Sequence, residues 1–192
     1  RATTRTGVWS SRRPMADDTR LLAALAVISA RGAIGERSLV DAVAHADRFV
    51  SLIPSTARSV VDLGSGGGLP AIVIAWRRSD LFVTMVERRA TRVDLLRRAV
   101  ISLGLDEHTA VIGADVADVD GPAEGFDVVT ARSFADLPTT ARFIDRLLGV
   151  GGLGLVSEPP TDRTAHWSAV LQGYPRLVDD GVEQGIRRVR RR

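Results

Sequence analysis

Between residues 58 and 157 short apolar runs alternate with longer amphipathic stretches, the pattern of buried strands joined by helices. Arg58-Ser59-Val60-Val61-Asp62-Leu63 predicts a first strand, Leu81 to Val86 a second, Thr109 to Ile112 a third, Phe126 to Thr130 a fourth and Leu153 to Ser157 a fifth. Leu69 to Trp76 reads as a helix that tolerates Pro70 in its first turn. Arg88 to Leu103 turns Val93, Leu96, Val100 and Leu103 to one side before Gly104 ends it. Leu137 to Leu148 is the helix between the last two strands, followed by a turn at Gly149 to Gly152. Tyr174 to Val178 and Gly185 to Val189 predict a closing pair, a hairpin on the sheet edge. Repeated units of this length specify an α/β fold: a mostly parallel sheet with helices on both faces.

Ahead of the first strand, Leu21, Leu22, Leu25 and Ile28 mark a helix that should stop near Gly32 or Gly35. A second helix is expected from Ser38 to about Ile53, with Leu39, Val43, Ala46 and Val50 on one face and Pro54 ending it. Residues 1–18 read as a flexible basic tail, 19–57 as a helical extension bracketing the main fold, and 58–192 as the principal domain.

An apolar fraction of 45% over 192 residues suits one domain with a full core. The most apolar stretch, Leu21 to Ile28, is too short to cross a bilayer, and no h-region marks a secretory signal. A cytoplasmic monomer, with no membrane association, is expected. The chain starts on Arg rather than Met, which suggests a fragment, a trimmed start or a non-standard start. Absence of cysteine removes disulfides and a thiolate nucleophile, and fits a reducing interior. His45, His108 and His166 have no ligand-like spacing, so no metal is expected. All 26 basic residues are Arg, permanently charged and suited to bidentate phosphate contacts. They concentrate at the ends: Arg5, Arg12, Arg13 and Arg20 near the start, Arg187, Arg188, Arg190, Arg191 and Arg192 at the close. Such runs serve either as solvated termini or as phosphate-contacting surface. Asp18 and Asp41 read as surface acids.

The chemistry concentrates after the first strand. Asp62-x-Gly64-x-Gly66-x-Gly68 forms a glycine-rich turn opening a helix, the generic nucleotide-binding arrangement. A dinucleotide fingerprint would need Gly at 69, where this chain has Leu, which argues against a hydride-transfer enzyme. The acid two residues before the first glycine suits a ligand with an amino group and a sulfonium, and the string resembles the first motif of class I S-adenosylmethionine-dependent methyltransferases, with their Rossmann-like sheet. Asp62, Gly64, Ser65, Gly66, Gly68 and Leu69 are the expected cofactor loop, Gly66 being the glycine expected to admit no side chain against the ligand. Glu87, at the end of the second strand, is placed to accept both hydroxyls of a ribose. Asp115, after the third, is placed to accept from an adenine amino group.

The wider sequence resembles one family: RsmG, also called GidB, bacterial methyltransferases that modify a guanine N7 in small-subunit ribosomal RNA. The similarity runs from about Ser38 to Glu158. VVDLGSGGGLPAIVIAWRRSDLFVTMVE resembles the family's glycine loop, and Leu69-Pro70 is more specific than the glycines. RVDLLRRAVISLGL matches the following helix, FDVVTARSFADL the fourth strand and its exit loop, and GVEQGIRRVRR the final strand. The resemblance puts Arg132 on a characteristic Arg and implies that it holds a phosphate or the guanine edge, at the catalytic and cofactor end of the site. Arg88, Arg89 and Arg92 are candidates for the same rim, Thr130 and Ser133 for shaping the pocket, and Phe134 or Trp167 for stacking on a base or packing.

The chain departs from the family pattern at several positions. Ala71 stands where members have Gly, and Ser157-Glu158-Pro159 where they have a Lys-Gly pair. Ala114 and Val116 stand near places that carry an Arg and a Glu. The N-terminal Trp-Asn and Asn-Leu-Thr elements are not recognisable before Ser38. Besides methylation of small-subunit RNA, two readings therefore stay open. One is a paralogue of the same fold acting on another RNA or a small acceptor; the other is a non-catalytic protein that binds the cofactor or RNA.

Overall fold

A computed structural model describes residues 15–34 and 38–192, so Arg5, Arg12 and Arg13 lie outside the described residues. Seven strands form one sheet in the order β3-β2-β1-β4-β5-β7-β6. They are β1 Ser59–Leu63, β2 Phe82–Val86, β3 Thr109–Ile112, β4 Phe126–Ala131, β5 Leu148–Ser157, β6 Leu177–Glu183 and β7 Ile186–Arg191. The first five run parallel, and β7 lies antiparallel between β5 and β6. The order reverses between β1 and β4, the switch point beside which open α/β sheets bind ligands at their carboxyl ends.

Period-two alternation sorts the strand residues between two apolar layers. Val60, Val83, Met85 and Leu155 pack under α1 Met15–Ser29, α2 Leu39–Leu52, α3 Ala71–Arg77 and α4 Ala90–Leu103. Val61, Leu63, Val129 and Val156 pack under α5 Leu137–Leu147 and α6 Thr164–Leu171. The two leading helices share the main core: Leu21, Leu25, Ala46 and Phe49 are fully buried in the same layer as β1 and α3. Burying a side chain the size of Phe49 contributes about 1.5–3 kcal/mol. Helix α1 starts at Met15, so Met15 to Asp18, expected in the tail, are helical. Asp18, expected as a surface acid, pairs with Arg77 together with Asp47, tying α1 and α2 to α3.

Three other expectations need correction. Pro70 precedes α3 rather than lying within its first turn, and that helix is only 7 residues long. The glycines 149–152 form no turn after α5; β5 begins at Leu148 and passes through them with a register shift against β4. A Cβ at Gly149 would lie 2.5 Å from the Glu124 carbonyl oxygen, so glycine serves close chain approach there. Helix α6, which the sequence pattern did not reveal, crosses between β5 and the hairpin.

The closing arginines are also accounted for. Arg187 pairs with Asp179, Arg188 with Asp180 and Glu183, and Arg190 with Asp180, all acids of the neighbouring strand β6. Arg191 donates to the Leu148 carbonyl. These cross-strand pairs bury Arg187 and give Arg188 and Arg190 acidic partners, while Arg190 and Arg192 stay exposed.

Candidate functional site

Strand β1 carries Asp62 into the sheet's carboxyl edge, where it is 1% exposed. Its Oδ1 accepts a 2.6 Å hydrogen bond from Thr130 Oγ1 on β4, while Oδ2 is buried with no hydrogen-bond partner. Burial pushes its carboxyl from 3.8 up to about 6, against the opposing pull of the Thr130 and Ser65 hydroxyls and the Arg132 charge. A half-satisfied buried carboxylate is costly, and such groups gather where a ligand completes them.

The loop turns on Gly64, Gly66 and Gly68, at φ 63°, 55° and 84°. Ser65 N–H donates to the Val86 carbonyl at 2.8 Å, and its hydroxyl to the Asp62 carbonyl at 3.2 Å. The Ser65 side chain, expected at the cofactor, also braces the loop. Leu69, expected there too, is buried in the layer under α1 to α4. Glu87 is also buried; its Oε2 accepts from Gly66 N–H at 2.9 Å and its Oε1 from Arg89 N–H at 2.8 Å. These bonds fix the carboxylate against the loop and leave each oxygen a second lone pair.

The glycines divide into two kinds. A Cβ on Gly68 would meet Ile72 Cδ1 at 2.3 Å and Ile72 Cγ1 at 2.7 Å, whereas one on Gly66 would meet nothing nearer than 3.6 Å. Close packing thus constrains Gly68, whereas a Cβ on Gly66 would make only ordinary contacts with Arg92 and the Gly64 carbonyl. Gly68→Ala is expected to lower stability by about 2–3 kcal/mol through overpacking and backbone strain. Gly66→Ala should cost only about 1 kcal/mol of stability, from its positive φ. Denaturant titrations of both variants check the ranking, and the reverse order would overturn it.

Two cavities open at this edge. The first, about 380 Å³, is bounded by Gly64, Glu87, Arg88, Arg92, Asp115 and Arg142. The second, about 690 Å³, is bounded by His45, Arg132, Ser157, Glu158 and Arg163 among others. Ser133, at φ 52°, and Phe134 line both. The Phe134 ring lies over Gly64, where an added Cβ would be 2.7 Å from Cδ2, and it meets Phe143 edge to face at 5.8 Å. Ser133, Phe134 and Ala135 are thus shared by the two cavities. The next helix is set by Asp136, whose carboxylate accepts from Thr139 N–H at 2.8 Å, an N-cap worth about 1 kcal/mol.

Asp62, Gly64, Gly66 and Glu87 thus converge, with Thr130 as the partner of Asp62. Asp115 stands apart on the rim: its Oδ1 accepts from Ala117 N–H at 3.0 Å and its Oδ2 faces Arg88 at 3.5 Å. The Ala117 bond and the Arg88 charge hold its carboxyl below the usual range. Arg132 lines the larger cavity, and Arg88 and Arg92 line the smaller one. Trp167 is fully buried and packs rather than stacks.

Sequence reasoning missed His45, whose Nε2 lies 3.1 Å from Ser157 Oγ, bringing α2 to the end of β5. It also missed the partners of Glu158, whose Oε1 accepts from Trp167 Nε1 at 2.6 Å and whose Oε2 accepts from Arg163 Nε at 2.9 Å. Both pairings join residues that only the folded chain brings together. Among the described residues no cluster of three His, Asp or Glu stands ready for a metal, and no helix is long and apolar enough to cross a membrane.

Residues 23–158 match the GidB family, described as rRNA small subunit methyltransferase G. A ribosomal RNA small subunit methyltransferase G of Neisseria meningitidis is 32% identical over 146 residues, covering 75% of this chain and 63% of that protein. The like-named protein of Acidothermus cellulolyticus is 37% identical over 160 residues, covering 81% and 68%. The chain therefore spans about two thirds of the length of these relatives. Among solved structures, the mitomycin 7-O-methyltransferase MmcR superposes with a TM-score of 0.62 at 18% identity over 79% of this chain and 54% of that one. A methyltransferase of Methanococcus maripaludis described as S-adenosyl-L-methionine-dependent gives 0.59 at 14% identity, covering 97% of both chains. At those identities the likeness is one of fold.

Proposed function

This chain belongs to the GidB family of small-subunit rRNA methyltransferases, and from that premise we propose that it methylates guanine N7 of small-subunit ribosomal RNA with S-adenosylmethionine. The observation that carries the cofactor half is Asp62. Its buried Oδ2 lacks a partner at the switch point, beside a glycine loop that donates Gly66 N–H to the fixed carboxylate of Glu87. That donor set fits S-adenosylmethionine. Asp62 faces positive charge, Glu87 accepts ribose hydroxyls on its free lone pairs, and Asp115 and Arg88 border the adenine end. The bound cofactor supplies an electrophilic methyl group on a sulfonium.

The acceptor half is the larger cavity. Guanine N7 carries an in-plane lone pair, so the protein needs no strong base and its task is alignment in a site shielded from water. Arg132 holds a phosphate or the guanine edge. Thr130 anchors Asp62 from the same strand, so cofactor and acceptor groups are tied to one rigid element. Phe134 borders both cavities. We take the partner to be ribosomal RNA or its assembly intermediate, and the chain to act as a cytoplasmic monomer.

Incubation with methyl-labelled S-adenosylmethionine and small-subunit RNA from a strain lacking the gene tests the reading. Label should enter one guanine, and mapping should show it at N7. Cofactor binding by calorimetry without transfer to this RNA would refute the proposed reaction.

A further inference from the structure

Glu158 follows directly on β5, yet its side chain is only 5% exposed. Around it stand Trp167 Nε1 at 2.6 Å, Arg163 Nε at 2.9 Å and Arg187 Nε at 3.9 Å. Arg187 is itself buried, paired with Asp179 at 2.8 Å and donating to Thr164 Oγ1 at 3.0 Å. It already has a carboxylate of its own, so Arg163 is the closer counter-charge of Glu158. The Glu158 carboxylate is thus largely buried and paired, and Arg163 stands beside it at the cavity wall.

Arg163 borders the 690 Å³ cavity with 28% of its side chain exposed. Among the described residues its hydrogen bonding uses Nε alone, which leaves both terminal amino groups as donors. A guanidinium pinned at Nε keeps the planar fork that suits a phosphate, and less ordering entropy is lost when the fork is engaged. Arg188 and Arg190 pair with acids of β6, and the arginines that border the acceptor cavity are Arg132 and Arg163.

We propose that Arg163, positioned by Glu158, is a substrate-binding residue that takes a backbone phosphate of the RNA at the acceptor cavity. This rests on the RNA methyltransferase reading above. The same oxyanion chemistry would fit the carboxylate of S-adenosylmethionine, and the experiment separates the two.

Binding of a small-subunit RNA fragment by the full chain is measured over a series of salt concentrations, with cofactor affinity measured by calorimetry alongside. Arg163→Ala should weaken RNA binding about tenfold near physiological salt, as loss of one charge-assisted contact does. The slope of log affinity against log salt should shrink by about 0.7–1, one phosphate contact fewer. Cofactor affinity should stay within about twofold. Arg163→Lys should restore the slope while recovering only part of the affinity, because a point charge replaces the fork. An unchanged slope in Arg163→Ala, with wild-type RNA binding intact, would overturn this assignment alone. Cofactor affinity falling with RNA affinity would overturn it in favour of the cofactor carboxylate. A wild-type chain that neither binds nor methylates the RNA would sink the underlying reading, and this assignment with it.

Discussion

Asp62→Asn is expected to leave the free protein at least as stable at pH 8, by up to about 2 kcal/mol, while weakening S-adenosylmethionine binding about 30- to 1000-fold. The opposite signs follow from the same atom. With its carboxyl raised to about 6, the folded state binds a proton more readily than the unfolded chain between pH 3.8 and 6. Stability from this group is fully present below 3.8, is lost as pH rises through 6, and is flat beyond. A rise of that size amounts to on the order of 3 kcal/mol at neutral pH. Asparagine removes the buried charge and keeps an oxygen for Thr130 Oγ1, but leaves an amide N–H₂ where Oδ2 was, which returns about 1–3 kcal/mol of the gain. Against a cationic ligand the exchange is a pure loss. Thermal melts at several pH values, paired with calorimetry, test both halves. If Asp62 were a structural acid, Asn would destabilise at pH 8, and the descending limb of stability between pH 4 and 6 would survive the change.

How far the sequence showed this site depends on how local each part is. Asp62 through Gly68 is contiguous, and its spacing already excluded a dinucleotide at Leu69. Glu87 follows from the end of an unambiguous apolar run. The sheet itself was legible for the same reason, since every parallel strand is a short apolar block. Helix α6 was not, because 8 residues between Pro160 and Gly173 give too few turns for a period to show. The start of β5 was hidden because Gly149, Gly151 and Gly152 resemble a turn when the chain that crowds Gly149 is out of sight.

Charge was the least decisive local signal. The arginine run at the C-terminus left a solvated terminus and a phosphate surface both open, and only the fold shows a strand carrying Asp179, Asp180 and Glu183 beside it. Glu158 stands where the family has a Lys-Gly pair, but its carboxylate is paired with Arg163 and Trp167. In both cases the sign presented to a ligand depends on pairing across the fold.

Arg132→Ala is expected to lower kcat/KM for RNA methylation about 100-fold, a loss of roughly 3 kcal/mol in transition-state stabilisation. Cofactor affinity at pH 8 should change by less than about threefold. The asymmetry reflects position: Arg132 follows β4 and lines the larger cavity, while Thr130, two residues earlier, serves Asp62. The separation is incomplete, because the Arg132 charge also helps hold the Asp62 carboxyl down. Removing it should push that carboxyl above about 6, so the variant should lose cofactor affinity on acidification at a higher pH than wild type does. Calorimetry at pH 8 and pH 6.5 therefore separates the two influences. Arg132→Lys should keep the wild-type pH dependence but only part of the methylation rate, since charge survives and the bidentate fork does not. Equal losses of methylation and cofactor affinity at pH 8 would place Arg132 at the cofactor alone and remove it from the acceptor site.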